Sequence, residues 1–271
     1  MKFALPEGHQ VYVSDVPNFD QPSWKIIKYD HKGENPEVFT EEELAWPQDL
    51  VFLEDRDEVL ISNLSSGKIN RHNSTTGEFI ATFAADISGP TRTRIGPDGL
   101  LYVLQWAGSG KVLRYDLDGT LVDEFTETGV PQSIGLDWDD AGNLYVSSFQ
   151  NNQVIKFDTE GKSHGVFTES GNTQGPTNIW FTSDGNLMVN DWKAGKIVVF
   201  DAAGQFIETF ATGLSQVEGV SVLSDGSVLI GNGGTGAVKL YDAEGTFIED
   251  FVAARSGGLG KPNAVIVRTG N

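Results

Sequence analysis

Apolar residues along this chain keep returning in short alternating runs, each opened by a turn signal. "PDGLLYVLQW" (97–106), "DAGNLYVSSF" (140–149), "SDGNLMVNDW" (183–192) and "SDGSVLIGNG" (224–233) are four versions of one phrase. Period-two alternation bounded by Gly, Asp and Asn predicts a strand that buries one face. A second apolar-rich stretch follows each time: KIIKY (25–29), KINRH (68–72), KVLRY (111–115), QVIKF (153–157), KIVVF (196–200) and AVKLY (237–241). Each is followed directly by Asp30, Asn73, Asp116, Asp158, Asp201 or Asp242, spaced 43, 43, 42, 43 and 41 residues apart. A glycine turn comes next (Gly33, Gly77, Gly119, Gly161, Gly204, Gly245), then a further strand carrying Phe39, Phe83, Phe125, Phe167, Phe210 or Phe251.

Upstream, each full unit opens with a run such as PQDLVFL (47–53), PQSIGLD (131–137) or PTNIWFT (176–182). Four strand signals in every unit, repeated six times, predict an all-β fold: a six-bladed β-propeller of four-stranded blades. The first unit lacks its opening strand, because VYVSD (11–15) already matches LYVLQ (101–105). KPNAVIV (261–267) has the Pro-led pattern and nothing after it. It is expected to supply the inner strand of the first blade and so remove the last open edge. No linker interrupts the ring, and residues 1–271 are expected to form one domain.

Composition agrees with many short strands and tight turns: 32 glycines, 10 prolines and 10% aromatic residues in 271. Acids outnumber bases 38 to 19, and a net charge of −19 speaks against a nucleic-acid partner. Without cysteine there is neither a disulfide nor a thiolate site. MKFALPEGHQ is too short in apolar residues for a signal peptide, and no apolar run is long enough to cross a bilayer. The chain is expected to be soluble, without membrane insertion, and either cytoplasmic or an exported form whose signal lies outside it.

The unit P-x-x-I…DG-x-L-Y-V-x-(D/N)…K-(I/V)-x-x-(F/Y)-D-x-x-G resembles the NHL repeat, within the wider group of gluconolactonase-like and streptogramin-lyase-like propellers. The resemblance covers essentially the whole chain. It implies that function gathers at one mouth of the central channel, where inner strands begin and second-to-third-strand loops return. That superfamily hosts hydrolases, lyases and interaction modules, so the resemblance speaks to fold more than to activity.

The residues after the Pro position, Gln48, Thr91, Gln132, Thr177, Glu218 and Asn263, are read as a polar collar. The next places hold Asp49, Arg92, Ser133, Asn178, Gly219 and Ala264. In gluconolactonase-like relatives a Glu, two Asn and an Asp from inner-strand mouths hold a divalent cation that polarises a lactone carbonyl and activates water. The resemblance therefore implies Asp49, Asn178, Glu218 and Asn263 as candidate ligands for calcium or another divalent cation. They are out of register, since Glu218 and Asn263 take the first place and Asp49 and Asn178 the second. A second-place side chain has the option of pointing into the blade interface. DWDDAGN (137–143) has calcium-loop composition but lacks a bidentate Glu at the needed spacing and is taken as a turn.

Arg92 and Arg94 share one inner strand, where two guanidiniums would clamp an anionic ligand or pair with Asp49, Glu218 and other acids across the channel. Trp106, Phe149 and Trp192 hold equivalent places after three consecutive second strands. With Trp24 in the loop PNFDQPSW (17–24) and Trp46 beside Pro47, they would give the mouth an aromatic arc suited to stacking on a ligand; the competing reading is packing between blades. Gln105, beside Trp106, is included with Arg92 and the aromatics as a candidate ligand contact. Asp191, at the place shared by Asp15, Asn63, Gln105, Ser148 and Asn232, is read as a loop brace.

The four histidines, His9, His31, His72 and His164, map away from the mouth, which speaks against a histidine-dependent lyase and against a Ser-His-Asp triad. Two functional readings remain. In the first, a non-catalytic propeller binds a protein, peptide or carbohydrate at the mouth. The alternative is a calcium-dependent hydrolase of the lactonase or esterase type.

Overall fold

The computed structural model describes residues 2–270. Among them are six four-stranded antiparallel sheets. The inner strands are Pro47–Leu53, Pro90–Ile95, Ser133–Trp138, Pro176–Phe181, Val217–Val222 and Pro262–Arg268. Numbered by chain order, blade 1 takes Pro262–Arg268 beside Gln10–Asp15, Lys25–Tyr29 and Glu37–Thr40. The closing strand pairs in antiparallel register, Val11 opposite Val267 and Val13 opposite Val265. The expected six-bladed ring and its closure are therefore present. Among the described residues no helix is long and apolar enough to cross a membrane.

Six apolar clusters account for the core, one at each blade interface. Val11, Val13, Tyr29, Leu229, Leu240 and Phe251 join blades 1 and 6, and Leu60, Ile69, Phe83, Leu101 and Val103 join blades 2 and 3. Alternation supplies both faces, because a blade inside a ring buries one face against each neighbour and exposes only its outer strand.

The repeated Asp–Gly–Phe series is explained by one device. Asp116 Oδ1 accepts the backbone N–H groups of Asp118 (3.0 Å) and Thr120 (2.8 Å), and Asp158, Asp201 and Asp242 repeat the pattern. Such Asx turns close the hairpin between third and fourth strands. The glycine that follows has a left-handed φ (78° at Gly77), and an added Cβ there would run into the Phe39 carbonyl of the preceding blade. Gly119 meets Phe83, Gly161 meets Phe125, Gly204 meets Phe167, Gly245 meets Phe210 and Gly33 meets Phe251 in the same way. The glycine and the phenylalanine are thus two halves of one contact repeated around the ring.

Candidate functional site

The residues ending the second strands fix the mouth loops. Asp191 accepts N–H bonds from Gln174 (2.8 Å), Gly175 (3.1 Å) and Ala194 (3.1 Å), and Asp15 from Lys261 (2.8 Å) and Gly260 (3.0 Å). Asn63 accepts from Ala45 and Asn232 from Ser215. Gln105 belongs to this series: its side chain accepts from Ser88 N and donates to Lys111 O, so it braces a loop and does not line the mouth pocket.

The inner strands slip register immediately after their first residue, between Pro47 and Asp49, Pro90 and Thr93, Pro176 and Ile179, and Val217 and Val220. A bulge of this kind breaks strict alternation, and consecutive residues both reach the channel. Gln48 and Glu218 line a pocket at the mouth, while Asp49, Arg92 and Asn178 line a second cavity further down. Three of the second-place residues, Asp49, Arg92 and Asn178, therefore face the channel, whereas Ala264 packs in the cluster between blades 1 and 2.

Blade 4 departs from the collar read in the sequence. Its inner strand begins at Ser133, which pairs with Ser148 as Pro47 pairs with Asn63. Gln132 instead takes the left-handed position before the strand (φ 48°), like Trp46 (57°) and Gln216 (53°). Ile134, not Gln132, fills the first place, so the collar is polar at five of six positions and apolar at the sixth. A two-residue offset of Pro131 hid this. Much of the collar stitches blade to blade: Thr91 donates to Ser133 O (2.8 Å), Thr177 to Val217 O (2.9 Å) and Asn263 to Pro47 O (3.1 Å).

The mouth pocket, about 320 Å³, is lined by Phe19, Trp46, Leu64, Trp106, Ile134, Phe149 and Trp192, with Gln48, Thr177 and Glu218 at the floor and Lys193 at the rim. Phe19 stacks on Trp46 with ring centres 4.5 Å apart, and Phe149 stands between Trp106 (5.7 Å) and Trp192 (6.0 Å). Lys193 Nζ lies 4.6 Å from the centre of Phe149 and Lys261 Nζ 4.4 Å from that of Phe19. Four of the five expected aromatics thus stand together, all half-buried. Trp24 is not among the lining residues; its Nε1 donates to Asn18 O (2.8 Å) and closes its own loop, and Phe19 takes the place expected of it. Phe19, Leu64, Ile134 and Lys193 were missed. Phe19 lay within the quoted loop, and Leu64 and Lys193 sit in the loops already assigned to the mouth.

Beneath the floor the channel is closed by an ion pair. Arg92, 2% exposed, reaches across from blade 3, and its Nη2 donates to Glu218 Oε1 (2.9 Å) and to Asn263 O (2.7 Å). With the Gln48 amide in the orientation that satisfies both its ends, its nitrogen donates to the same Oε1 (3.2 Å) and its oxygen accepts from Trp46 Nε1 (2.6 Å). Burial pushes the Glu218 carboxyl up to about 7, against the opposing pull of Arg92 and Lys261 and with a further push from Asp49. Asp49 is also raised by burial, partly offset by Arg92; its oxygens accept from Leu50 N (3.0 Å) and Thr93 N (3.1 Å). Lower still, Asp137 ties Arg94 Nη1 (2.7 Å) to Phe181 N (2.8 Å). Arg92 and Arg94 thus take the acid-paired arrangement.

The four candidate metal ligands do not fit one cation. Glu218 opens to the mouth pocket, whereas Asp49 and Asn178 line the cavity on the other side of Arg92. The Asn178 amide nitrogen donates to Glu218 O (2.6 Å) and that of Asn263 to Pro47 O, bonds that fix both side chains and leave their amide oxygens uninvolved. A guanidinium bonded to Glu218 and to the Asn263 carbonyl already supplies positive charge at that point, and a second cation there would be repelled. None of the histidines lines the mouth pocket.

No protein-family model matches the sequence, and no curated protein matches it. Solved structures do match in shape. A chain from the crystal structure of a nidogen/laminin complex superposes with a TM-score of 0.76 at 16% identity, covering 96% of this chain and 97% of that one. A protein of unknown function from Bacteroides caccae gives a TM-score of 0.76 at 17% identity, covering 96% and 99%. At such identities the likeness is one of fold: this chain is a six-bladed β-propeller.

Proposed function

We propose that this chain is a non-catalytic propeller of NHL type that binds a protein or peptide at the mouth of its channel. The observation that carries the reading is the half-buried aromatic pocket over a sealed floor, a concave and largely apolar surface of the size that binding sites use. Its polar groups are mostly engaged within the protein: Thr177 Oγ1 with Val217 O, Gln48 with Glu218 and Trp46, and Glu218 with Arg92. That leaves few partners for the many hydroxyls of a sugar, which favours an apolar side chain of a peptide over a carbohydrate. The nidogen/laminin structure, similar in fold, is itself of a complex.

Panning displayed peptides against the protein tests the reading. Enriched peptides are expected to lose at least about tenfold in affinity for the Trp106→Ala, Trp192→Ala double variant, because aromatic anchors dominate such interfaces. Peptides that bind the double variant as tightly as the wild type would overturn it.

A further inference from the structure

The walls of the mouth pocket are aromatic, yet its floor offers one open acceptor. Glu218 Oε1 is bonded by Arg92 and Gln48, whereas Oε2 accepts no hydrogen bond among the described residues and is not sealed from solvent. Glu218 is also the one acid that lines this pocket.

The cations around the floor leave Glu218 Oε2 without a bonded partner among the described residues. The Arg92 guanidinium acts on two buried carboxylates, Glu218 and Asp49. The next guanidinium, Arg94, is committed to Asp137 at 2.7 Å. Lys261 also draws on Glu218 electrostatically, yet Arg92 is the cation bonded to its carboxylate, and at Oε1 alone. The rings nearby already carry cations on their faces, Lys193 over Phe149 and Lys261 over Phe19, at distances where a ring quadrupole attracts positive charge. Lys193 is exposed where it lines the pocket, and neither lysine ammonium is hydrogen-bonded to Glu218 among the described residues.

We propose that the pocket receives a primary ammonium on an apolar stem, a lysine side chain of the partner, with an N–H directed at Glu218 Oε2 and its methylenes against Trp106, Phe149 and Trp192. This rests on reading the mouth as a protein-binding site and names the group that site selects. Lysine suits both surfaces, since its stem covers apolar walls while its head seeks a carboxylate. A chain with a net charge of −19 also draws basic partners toward it.

The test uses n-butylammonium and 1-butanol, which share an apolar stem and differ at the head, followed by intrinsic tryptophan fluorescence. At about pH 8, where Glu218 is ionised and the amine charged, butylammonium is expected to bind at least about tenfold more tightly than butanol. Glu218→Gln should bring the two within about threefold, and Trp106→Ala should weaken both. Because Glu218 sits near 7, the affinity for the amine should fall by about tenfold per unit as pH drops below that value, while that for butanol stays flat. The groups acting on this titration are Arg92, Lys261 and Asp49. A thermal melt of Glu218→Gln checks that the variant folds, and the amine-to-alcohol ratio in the wild type needs no variant at all. Equal affinities in the wild type would overturn the cation preference while leaving a binding mouth. Failure of both probes while enriched peptides still bind would overturn the ammonium pocket alone; failure of peptides as well would remove the binding reading.

Discussion

The two ends of the central channel are built from the same six strands and differ in almost every respect that matters to a ligand. The mouth end is lined by Trp46, Trp106, Phe149 and Trp192, half-buried and reachable. The far end is lined by Asp49, Arg92, Arg94, Asn178 and Trp180, most of them committed to partners in the next blade. Arg92 and Glu218 form the partition between the two. A repeat fixes where side chains go, and the residues that break the repeat decide what each end does.

The largest effects are expected from the partition and the far end. Arg92→Met leaves Glu218 and Asp49 without their buried counter-charge and should cost about 3–5 kcal/mol in urea unfolding, more at about pH 8 than at about pH 5, where the orphaned acids take up protons. Trp180→Ala, at a ring 5% exposed, should cost about 3–5 kcal/mol by opening a cavity, without changing affinity at the mouth. If either variant unfolds at the wild-type denaturant concentration, the far end is not the structural half.

At the mouth the balance should invert. Trp106→Ala and Trp192→Ala are expected to cost about 1 kcal/mol or less in stability each, yet to lower peptide affinity by at least about tenfold. A large drop in melting temperature with unchanged affinity would mean that these rings are packing.

Two titrations pull stability in opposite directions. Glu218 has an ordinary value of 4.5 and a folded value of about 7, so between the two the folded state keeps a proton that the unfolded state has lost. Stability from this group is therefore lost as pH rises through that window, and Glu218→Gln should remove the slope. His72 is displaced downward from 6.5 by burial, partly offset by its bond to the Gly77 carbonyl. There the unfolded state binds the proton first, and stability is lost as pH falls below that ordinary value. His72→Phe, restoring an aromatic like that of the other blades, should flatten this acid limb. Unchanged pH profiles in both variants would contradict the assigned burial.

The smallest expected effect is none: adding millimolar calcium or magnesium to chelator-treated protein should leave the melting temperature unmoved, since a ligand bound only by the folded state would raise it. A clear rise would return Asp49, Asn178, Glu218 and Asn263 to consideration as a cation site.

The ring was legible because its devices are local. The Asp turn, the close-approach glycine and the Phe beneath it recur at a fixed period, and the unpaired Pro-led strand at the end had one empty place to fill. The mouth was legible in part. Trp106, Phe149 and Trp192 share one repeat position, so their neighbourhood followed from the period. Trp24 and Phe19 lie in a loop unlike the others, where no repeat said which ring turns inward. Ile134 was hidden by the two-residue offset of Pro131. Pairing of Arg92 with Glu218 across 126 positions of chain is one of two readings the sequence leaves open, and the bulge that decides between them is one that period-two reasoning cannot place. Asp137 reads as part of a turn in the sequence because its role is set by Arg94 and by the next blade.

The chain's six tryptophans offer the most direct test of the difference between the two ends. Trp46, Trp106 and Trp192 line the mouth, Trp24 closes its own loop, Trp180 lines the far cavity, and Trp138 lies beneath Arg94. Indole N–H resonances of ¹⁵N-labelled protein, assigned by single Trp→Phe variants, should be followed as n-butylammonium is added. Movement of the Trp46, Trp106 and Trp192 signals, with those of Trp138 and Trp180 still, is the predicted result. Shifts confined to Trp138 and Trp180 would place the binding end of the channel on the wrong side of Arg92 and contradict the account.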